Sequence, residues 1–370
     1  MGLLRIFLAI SVLLTHLGPG LSPVNGYLAV ICFYVISGFY MSKVINEKYL
    51  GQTGWKSKFY LSRLLRLYPV YWAIAIFAFI TFPLRFGHGA WMFDIDNDLN
   101  FMQRAAIASS NIFLWGLDAI IMLSQSGLTH PLVRFVGPAW SLAIELQFYL
   151  IAPFIVTRSL RFSLLLLLCT LAIRFSLLGA DYDPWRYYFA PAVWCFFLMG
   201  HLSHRLSVLV PCIANRRLGV ASIAAMLLSA ALARVWATED IDGAALWAFY
   251  ILFAISVPFI FEMTKNSKGD LAVGALSYSL YIAHRPIFQF SLYLLGITKS
   301  DNFAELGASA CLAVLFVTLC VAIAINMFIE KPMDKIRSAI SNRSSQPAPD
   351  ALSGMSAVAA AAITATAAKT

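Results

Sequence analysis

Charge is scarce in this chain. Asp, Glu, Lys and Arg make up 12% of its 370 residues, while 60% are hydrophobic, and that balance excludes an ordinary soluble domain. The six cysteines are scattered in or near apolar segments without metal-ligand spacing, so they imply packing and no disulfide framework. No internal repeat points to an inverted-repeat transporter. The first apolar run, with its early arginine, has the outline of a signal peptide, yet no small-x-small cleavage site follows it, and a retained span is expected.

What the chain does contain is a series of apolar stretches near bilayer-spanning length, at about residues 3–20, 27–46, 63–83, 140–158, 161–179, 188–206, 217–237, 243–264, 271–296 and 304–330. The pattern predicts an all-α fold, a polytopic membrane helix bundle of about ten transmembrane helices. Basic residues set its orientation, because Lys and Arg are retained on the cytoplasmic side. With the N-terminus inside, eighteen of the 27 lie in or beside cytoplasmic segments, from Arg5 and the group Lys43 to Arg66 through to Lys331 to Arg343. The outer connections are acidic instead: Asp94, Asp96, Asp98, Asp181, Asp183, Glu239, Asp240 and Asp242. Both termini are then cytoplasmic. The net charge of +9 is explained by topology and requires no nucleic acid.

"FMQRAAIASSNIFLWGLDAIIML", residues 101–123, is long enough to span but carries Gln103, Arg104, Asn111 and Asp118. A crossing here would carry eleven downstream basic residues to the outer side, so an interfacial or re-entrant helix in an external loop is expected. After residue 338 the composition turns to Ala, Ser, Thr and Pro, which divides the chain into a membrane domain at 1–338 and a disordered cytoplasmic tail at 339–370. His201 and His204 have an i,i+3 spacing that suits a metal, but no carboxylate or cysteine partner follows at fitting spacing. They read as interfacial polar residues.

Several polar side chains sit where lipid would reject them. Arg5 and His16 are eleven residues apart and share a helical face, separated by about 16 Å along the axis. Arg5 suits a topology anchor at the cytoplasmic boundary, whereas a histidine so deep marks function or a packed polar network. Arg63 and Arg66, with Lys56 and Lys58 upstream, suit either ordinary anchoring or a charge-assisted grip on phosphate oxygens. Glu145 lies near the middle of the apolar span "PAWSLAIELQFYL", with Ser141, Phe148 and Tyr149 near its face. Such a carboxylate is paired, protonated or functional, and a salt bridge to Arg174 is the structural alternative. "LSYSLYIAHRPIF" brings Ser277, Tyr278, Tyr281 and His284 into the ninth span, where Pro286 frees a carbonyl and bends the helix toward a lined cavity. Glu330, Lys331 and Pro332 read as local capping and charge pairing.

In order along the chain, the Arg5 to His16 pair, "FYVISGF", "SRLLRLYPVYW", "PAWSLAIELQFY", "LSYSLYIAHRPIF" and "IEKP" resemble the acyltransferase-3 family of integral-membrane acyltransferases, many of which O-acetylate bacterial surface polysaccharides. The likeness covers about residues 3 to 333. One departure is that Ile31 and Cys32 precede Phe33, where many relatives carry an acidic or amide residue.

The resemblance implies a multi-pass protein of the bacterial cytoplasmic (inner) membrane, standing alone without the esterase-like domain fused to some relatives. It implies transfer from acyl-CoA, with acetyl-CoA the expected donor and no metal, to a glycan or lipid-linked saccharide acceptor among membrane lipids. His16 is then the catalytic histidine, with Glu145 beside it in the catalytic set. Arg5, Arg63 and Arg66 bind the donor, and Ser141, Tyr281 and His284 support or contact substrate. Direct transfer and an acyl-histidine intermediate both remain open. The buried Glu145, His16 and His284 also suit the proton path of a proton-coupled secondary transporter, the alternative from a different class.

Overall fold

The structure, a computed structural model, describes residues 1–18, 22–86, 100–127, 135–177, 183–209, 216–236, 242–294, 296 and 308–342. Residues 343–370 of the expected tail lie outside them. So do Asp94, Asp96, Asp98, Asp181, Glu239, Asp240 and Arg343 among the loop charges used for orientation.

Among the described residues every regular element is helical. In chain order these are α1 (Gly2–Leu17), α2 (Gly26–Val44), α3 (Trp55–Phe86), α4 (Phe101–Phe113), α5 (Leu117–Gln125), α6 (Ala139–Ile155) and α7 (Leu160–Ser176). Then follow α8 (Asp183–Tyr188), α9 (Ala190–Leu209), α10 (Arg216–Trp236), α11 (Ala244–Thr264), α12 (Lys268–Leu294), α13 (Ala308–Ile325) and α14 (Lys331–Asn342). Single π-helical turns at Ile45–Tyr49 and Asn326–Glu330 extend α2 and α13. Helices suit lipid because they satisfy their backbone groups internally. Each of the ten apolar stretches holds a helix, and five helical segments are long and apolar enough to cross a membrane. Gly2–Leu17, Ala139–Ile155 and Arg217–Ala230 are apolar but shorter. The protein is a multi-pass helical membrane protein. Helix α14 continues through Asn342, past residue 338.

Residues 101–123 form two short helices, α4 and α5, because Leu114 and Gly116 between them adopt left-handed φ values of 58° and 73°. Neither is long enough to span. A capping box of Asn100 and Gln103 closes the start of α4. At its other end the carbonyls that lack helical donors are met by α3: Tyr68 Oη–H donates to Phe113 O at 2.7 Å, Trp72 Nε1–H to Ile112 O at 2.9 Å, and Tyr71 Oη–H to Asn111 O. Three side chains on one helix thus fasten a polar helix that lipid would not hold.

Two close helix pairs position the functional residues. Helix α2 crosses α9 where Gly38 and Gly200 meet: a Cβ on Gly38 would lie 1.9 Å from Phe197 O, and one on Gly200 1.9 Å from Val35 O. Helices α1 and α12 run parallel. At one end the Gly2 and Leu3 amides donate to the two oxygens of Asp270, at 2.7 and 2.8 Å, which satisfies first-turn donors of α1; at the other end His16 stacks on His284.

Two further polar clusters lie between helices, the first ending at the exposed Glu47. Ser163, His201, Ser42, His204 and Glu47 form a hydrogen-bonded chain across α7, α9 and α2, with successive separations of 3.0, 2.9, 2.9 and 3.2 Å. The two histidines are therefore enclosed between helices. Separately, Arg174 is 0% exposed; its Nε–H donates to Asp242 Oδ1 at 2.6 Å and its guanidinium lies over Phe196. Arg186 donates to the other Asp242 oxygen at 2.8 Å. Arg174 thus pairs with Asp242, and the salt bridge to Glu145 that the sequence left open does not form.

Candidate active site

A cavity of about 680 Å³ runs between α1, α2, α3, α6 and α12, within the range of small-molecule and cofactor sites. Six of the eight candidate residues line it: Arg5, Arg63, Arg66, Ser141, Glu145 and Tyr281. His16 and His284 do not. They lie beyond Tyr281, one helical turn past the cavity's end.

The mouth is basic. Arg63 and Arg66, one turn apart on α3, are joined there by Lys48, Lys265 and Arg337. Arg66 pairs with Glu330 at 3.3 Å, and Glu330 in turn accepts from Ser279 Oγ–H and, at 3.4 Å, from Asn326 Nδ2–H. The expected local pairing of Glu330 is replaced by a partner from a distant helix. Arg63 differs, since its Nε is buried with no hydrogen-bond partner among the described residues and its guanidinium faces the rings of Phe59 and Tyr149. Arg5, further in, is within electrostatic reach of Arg66, Glu330 and Glu145. Cations that outnumber their protein carboxylates are the ordinary design of a phosphate site.

Midway along the cavity, Glu145 Oε1 accepts from Ser37 Oγ–H at 2.5 Å and Tyr149 Oη–H at 2.6 Å. Those two donors compensate a carboxylate that lipid would not tolerate. At the far end Ser141 Oγ–H donates to Pro138 O at 2.8 Å, so the 2.7 Å contact with Tyr281 uses the tyrosine proton. The Tyr281 ring closes the cavity, 5.8 Å from Phe33 and 6.0 Å from His284 between centroids.

His284 is 0% exposed. Its Nδ1 lies 2.6 Å from Tyr281 O, and a carbonyl only accepts, so Nδ1 carries a proton. Nε2 is buried and without a hydrogen-bond partner among the described residues. The half-buried His16 ring stacks on His284 at 5.2 Å with 22° between planes. Outside the spanning helices, Asp118 on α5 receives Gln147 Nε2–H at 2.9 Å; burial pushes its carboxyl above the ordinary value, and this bond offsets part of the rise.

Ser37, Tyr149, Tyr278, Lys48 and Arg337 complete the cavity wall, and sequence reasoning gave none of them a role in the site. Ser37 and Tyr149 stood in quoted motifs, but the face that turns inward is settled by helix packing. Arg337 looked like one more basic residue after the last span.

No solved structure matches the chain. The chain is 28% identical over 326 residues to the O-acetyltransferase OatA of Staphylococcus aureus, covering 79% of this chain and 51% of that protein. It is 26% identical over 362 residues to the peptidoglycan O-acetyltransferase OatA of Listeria monocytogenes, covering 90% and 55% respectively. An uncharacterized protein of Haemophilus influenzae is 30% identical over 163 residues, covering 42% of this chain and 61% of that one. The chain thus spans about half the length of the OatA proteins it matches. The model of the acyltransferase domain matches residues 1–327, and the chain belongs to the acyltransferase-3 family.

Proposed function

We propose that the protein is a membrane O-acyltransferase that moves an acyl group, taken to be acetyl, from cytoplasmic acyl-CoA to a hydroxyl of an extracytoplasmic or lipid-linked glycan. The observation that carries this reading is the single cavity that joins the Arg63 and Arg66 mouth to Tyr281, behind which His16 and His284 are stacked. The family match and the names of the OatA relatives support the reaction class.

On this reading ten helices cross the bacterial inner membrane, and the mouth faces the cytoplasm. Arg63, Arg66 and Arg5 hold the phosphates of the donor while its thioester end extends toward Tyr281. From Lys48 to Tyr281 the wall changes from cationic to aromatic, which suits a carrier with a charged head and a long, weakly polar arm. His16 takes the proton of the acceptor hydroxyl as its oxygen attacks the thioester carbon, the carbon–sulfur bond breaks, and the departing thiolate receives the proton. Tyr281 and Ser141 shape the meeting point, with His284 supporting His16. Glu145, already engaged by Ser37 and Tyr149, acts from the cavity wall on the donor side.

The test is to supply isotopically labelled acetyl-CoA to membranes containing the protein and to look for label in alkali-labile esters of envelope glycans. Label transferred to a sugar supports catalysis. Vesicles that accumulate a substrate without forming an ester would favour the transporter instead.

A further inference from the structure

Acyl transfer places negative charge on the carbonyl oxygen of the thioester, and a preorganised donor aimed at that oxygen is commonly the largest single catalytic contribution. Nearly all the buried hydroxyls that line the cavity are already committed to the protein. Ser37 and Tyr149 donate to Glu145, Tyr278 to Leu67 O, Ser277 to Gly274 O, Ser141 to Pro138 O, and Tyr281 to Ser141 Oγ. Tyr34 is the exception. It lines the same cavity, is 3% exposed, and its hydroxyl has no hydrogen-bond partner among the described residues.

Its place in the fold suits the task. Tyr34 lies on α2 one turn from Ser37 and next to Phe33, whose ring meets that of Tyr281. The Tyr34 ring is clamped against Phe197 at 4.7 Å between centroids, so the hydroxyl is held rather than free to swing. Along α2 it stands about 21 Å from Lys48 at the basic mouth, which is where the reactive end of a phosphate-anchored carrier would lie. A buried, unpaired hydroxyl destabilises a protein unless something meets it, and Tyr34 lines a cavity with room for a ligand.

We propose that Tyr34 is a catalytic residue whose O–H donates a hydrogen bond to the carbonyl oxygen of the acyl donor. The inference rests on the acyl-transfer reading. As the acceptor oxygen bonds to the carbonyl carbon, the π pair moves onto the carbonyl oxygen, and Tyr34 stabilises it without giving up its proton. The pair then returns, the carbon–sulfur bond breaks, and the thiolate leaves.

The experiment uses the full chain in lipid nanodiscs and the variant Tyr34→Phe. Bound acetyl-CoA labelled with ¹³C at the carbonyl is observed by infrared difference spectroscopy, beside thermal unfolding and the kinetics of labelled acetyl transfer. The expected result is a carbonyl frequency lowered in the wild type and restored toward the free value in Tyr34→Phe, with an unfolding midpoint unchanged or raised. Transfer should fall about 10²- to 10³-fold in kcat with little change in KM, the usual effect of removing one such donor. Equal carbonyl frequencies in the two proteins would overturn the proposal, and so would a lowered midpoint accompanied by wild-type kcat, which marks a structural hydroxyl. A wild type that binds acetyl-CoA with a shifted carbonyl but esterifies no glycan would keep the assignment of Tyr34 and refute the acceptor reading. Absence of acetyl-CoA binding would refute both.

Discussion

His284 keeps a buried Nε2 without a hydrogen-bond partner among the described residues while its Nδ1–H is held by Tyr281 O, and His16 lies against the same ring at 5.2 Å. The two imidazoles come from the C-terminal halves of parallel helices that are far apart in sequence, and both stand where the cavity stops. In His284→Asn the amide nitrogen can still reach Tyr281 O, but nothing replaces Nε2. The variant should fold to wild-type yield and separate support of His16 from mere packing. If transfer per folded molecule then falls with a changed pH profile, the nitrogen participates; if transfer is unchanged, His284 serves packing alone.

Arg63 and Arg66 should respond differently to alanine. Arg66 neutralises buried Glu330, so Arg66→Ala leaves a carboxylate with only Ser279 and Asn326 and lowers the unfolding midpoint as well as donor affinity. Among the described residues the Arg63 Nε has no partner and its guanidinium makes one long bond, 3.4 Å to Ser62 Oγ, so Arg63→Ala should spare the midpoint and weaken acetyl-CoA binding about 10- to 100-fold, the value of one charged hydrogen-bonding group. Calorimetric titration and thermal unfolding of each variant measure the two effects separately.

The Gly38 and Gly200 crossing leaves no room for a methyl group, because backbone carbonyls cannot yield as a flexible side chain can. Gly38→Ala should destabilise by about 1–3 kcal/mol or more. It should also displace Ser37 and Tyr34, which α2 carries into the cavity. Size-exclusion profiles and unfolding midpoints would show the loss, and a variant as stable as wild type would mean that the helices are further apart.

Asp242 meets two buried guanidiniums, so its loss leaves Arg174 with neutral acceptors and Arg186 with Asp183, whereas loss of Arg174 leaves Arg186 to satisfy the carboxylate. Asp242→Ala should therefore be destabilising by about 3–5 kcal/mol and Arg174→Met by less. Thermal unfolding ranks them. The reverse order would show that the aromatic packing of Arg174 against Phe196 outweighs its charge.

How much of this was legible in the sequence follows from the range of each interaction. Apolar runs located the helices, and the polar residues of 101–123 marked a segment that does not span, because both signals are local. Arg63, Arg66 and Glu145 stood out by being costly in lipid, and the cavity gathers them. The partners were not legible. Glu330 finds Arg66 across 264 positions and Arg174 finds Asp242 across 68, distances over which composition carries no signal. The hydrogen bonds of His201 and His204 were not legible either, because the serines on α2 and α7 that meet them lie elsewhere in the chain. Tyr34 stood in a quoted motif, but an unmet hydroxyl is visible only once its neighbours are known.

The most direct measurement compares wild type and His16→Ala, at equal amounts of folded protein in inside-out membrane vesicles, for label moved from acetyl-CoA to glycan ester. Removal of the general base should lower transfer about 10²- to 10⁴-fold while acetyl-CoA still binds at the Arg63 mouth. Transfer at the wild-type rate in His16→Ala, or label that never leaves coenzyme A in the wild type, would contradict it.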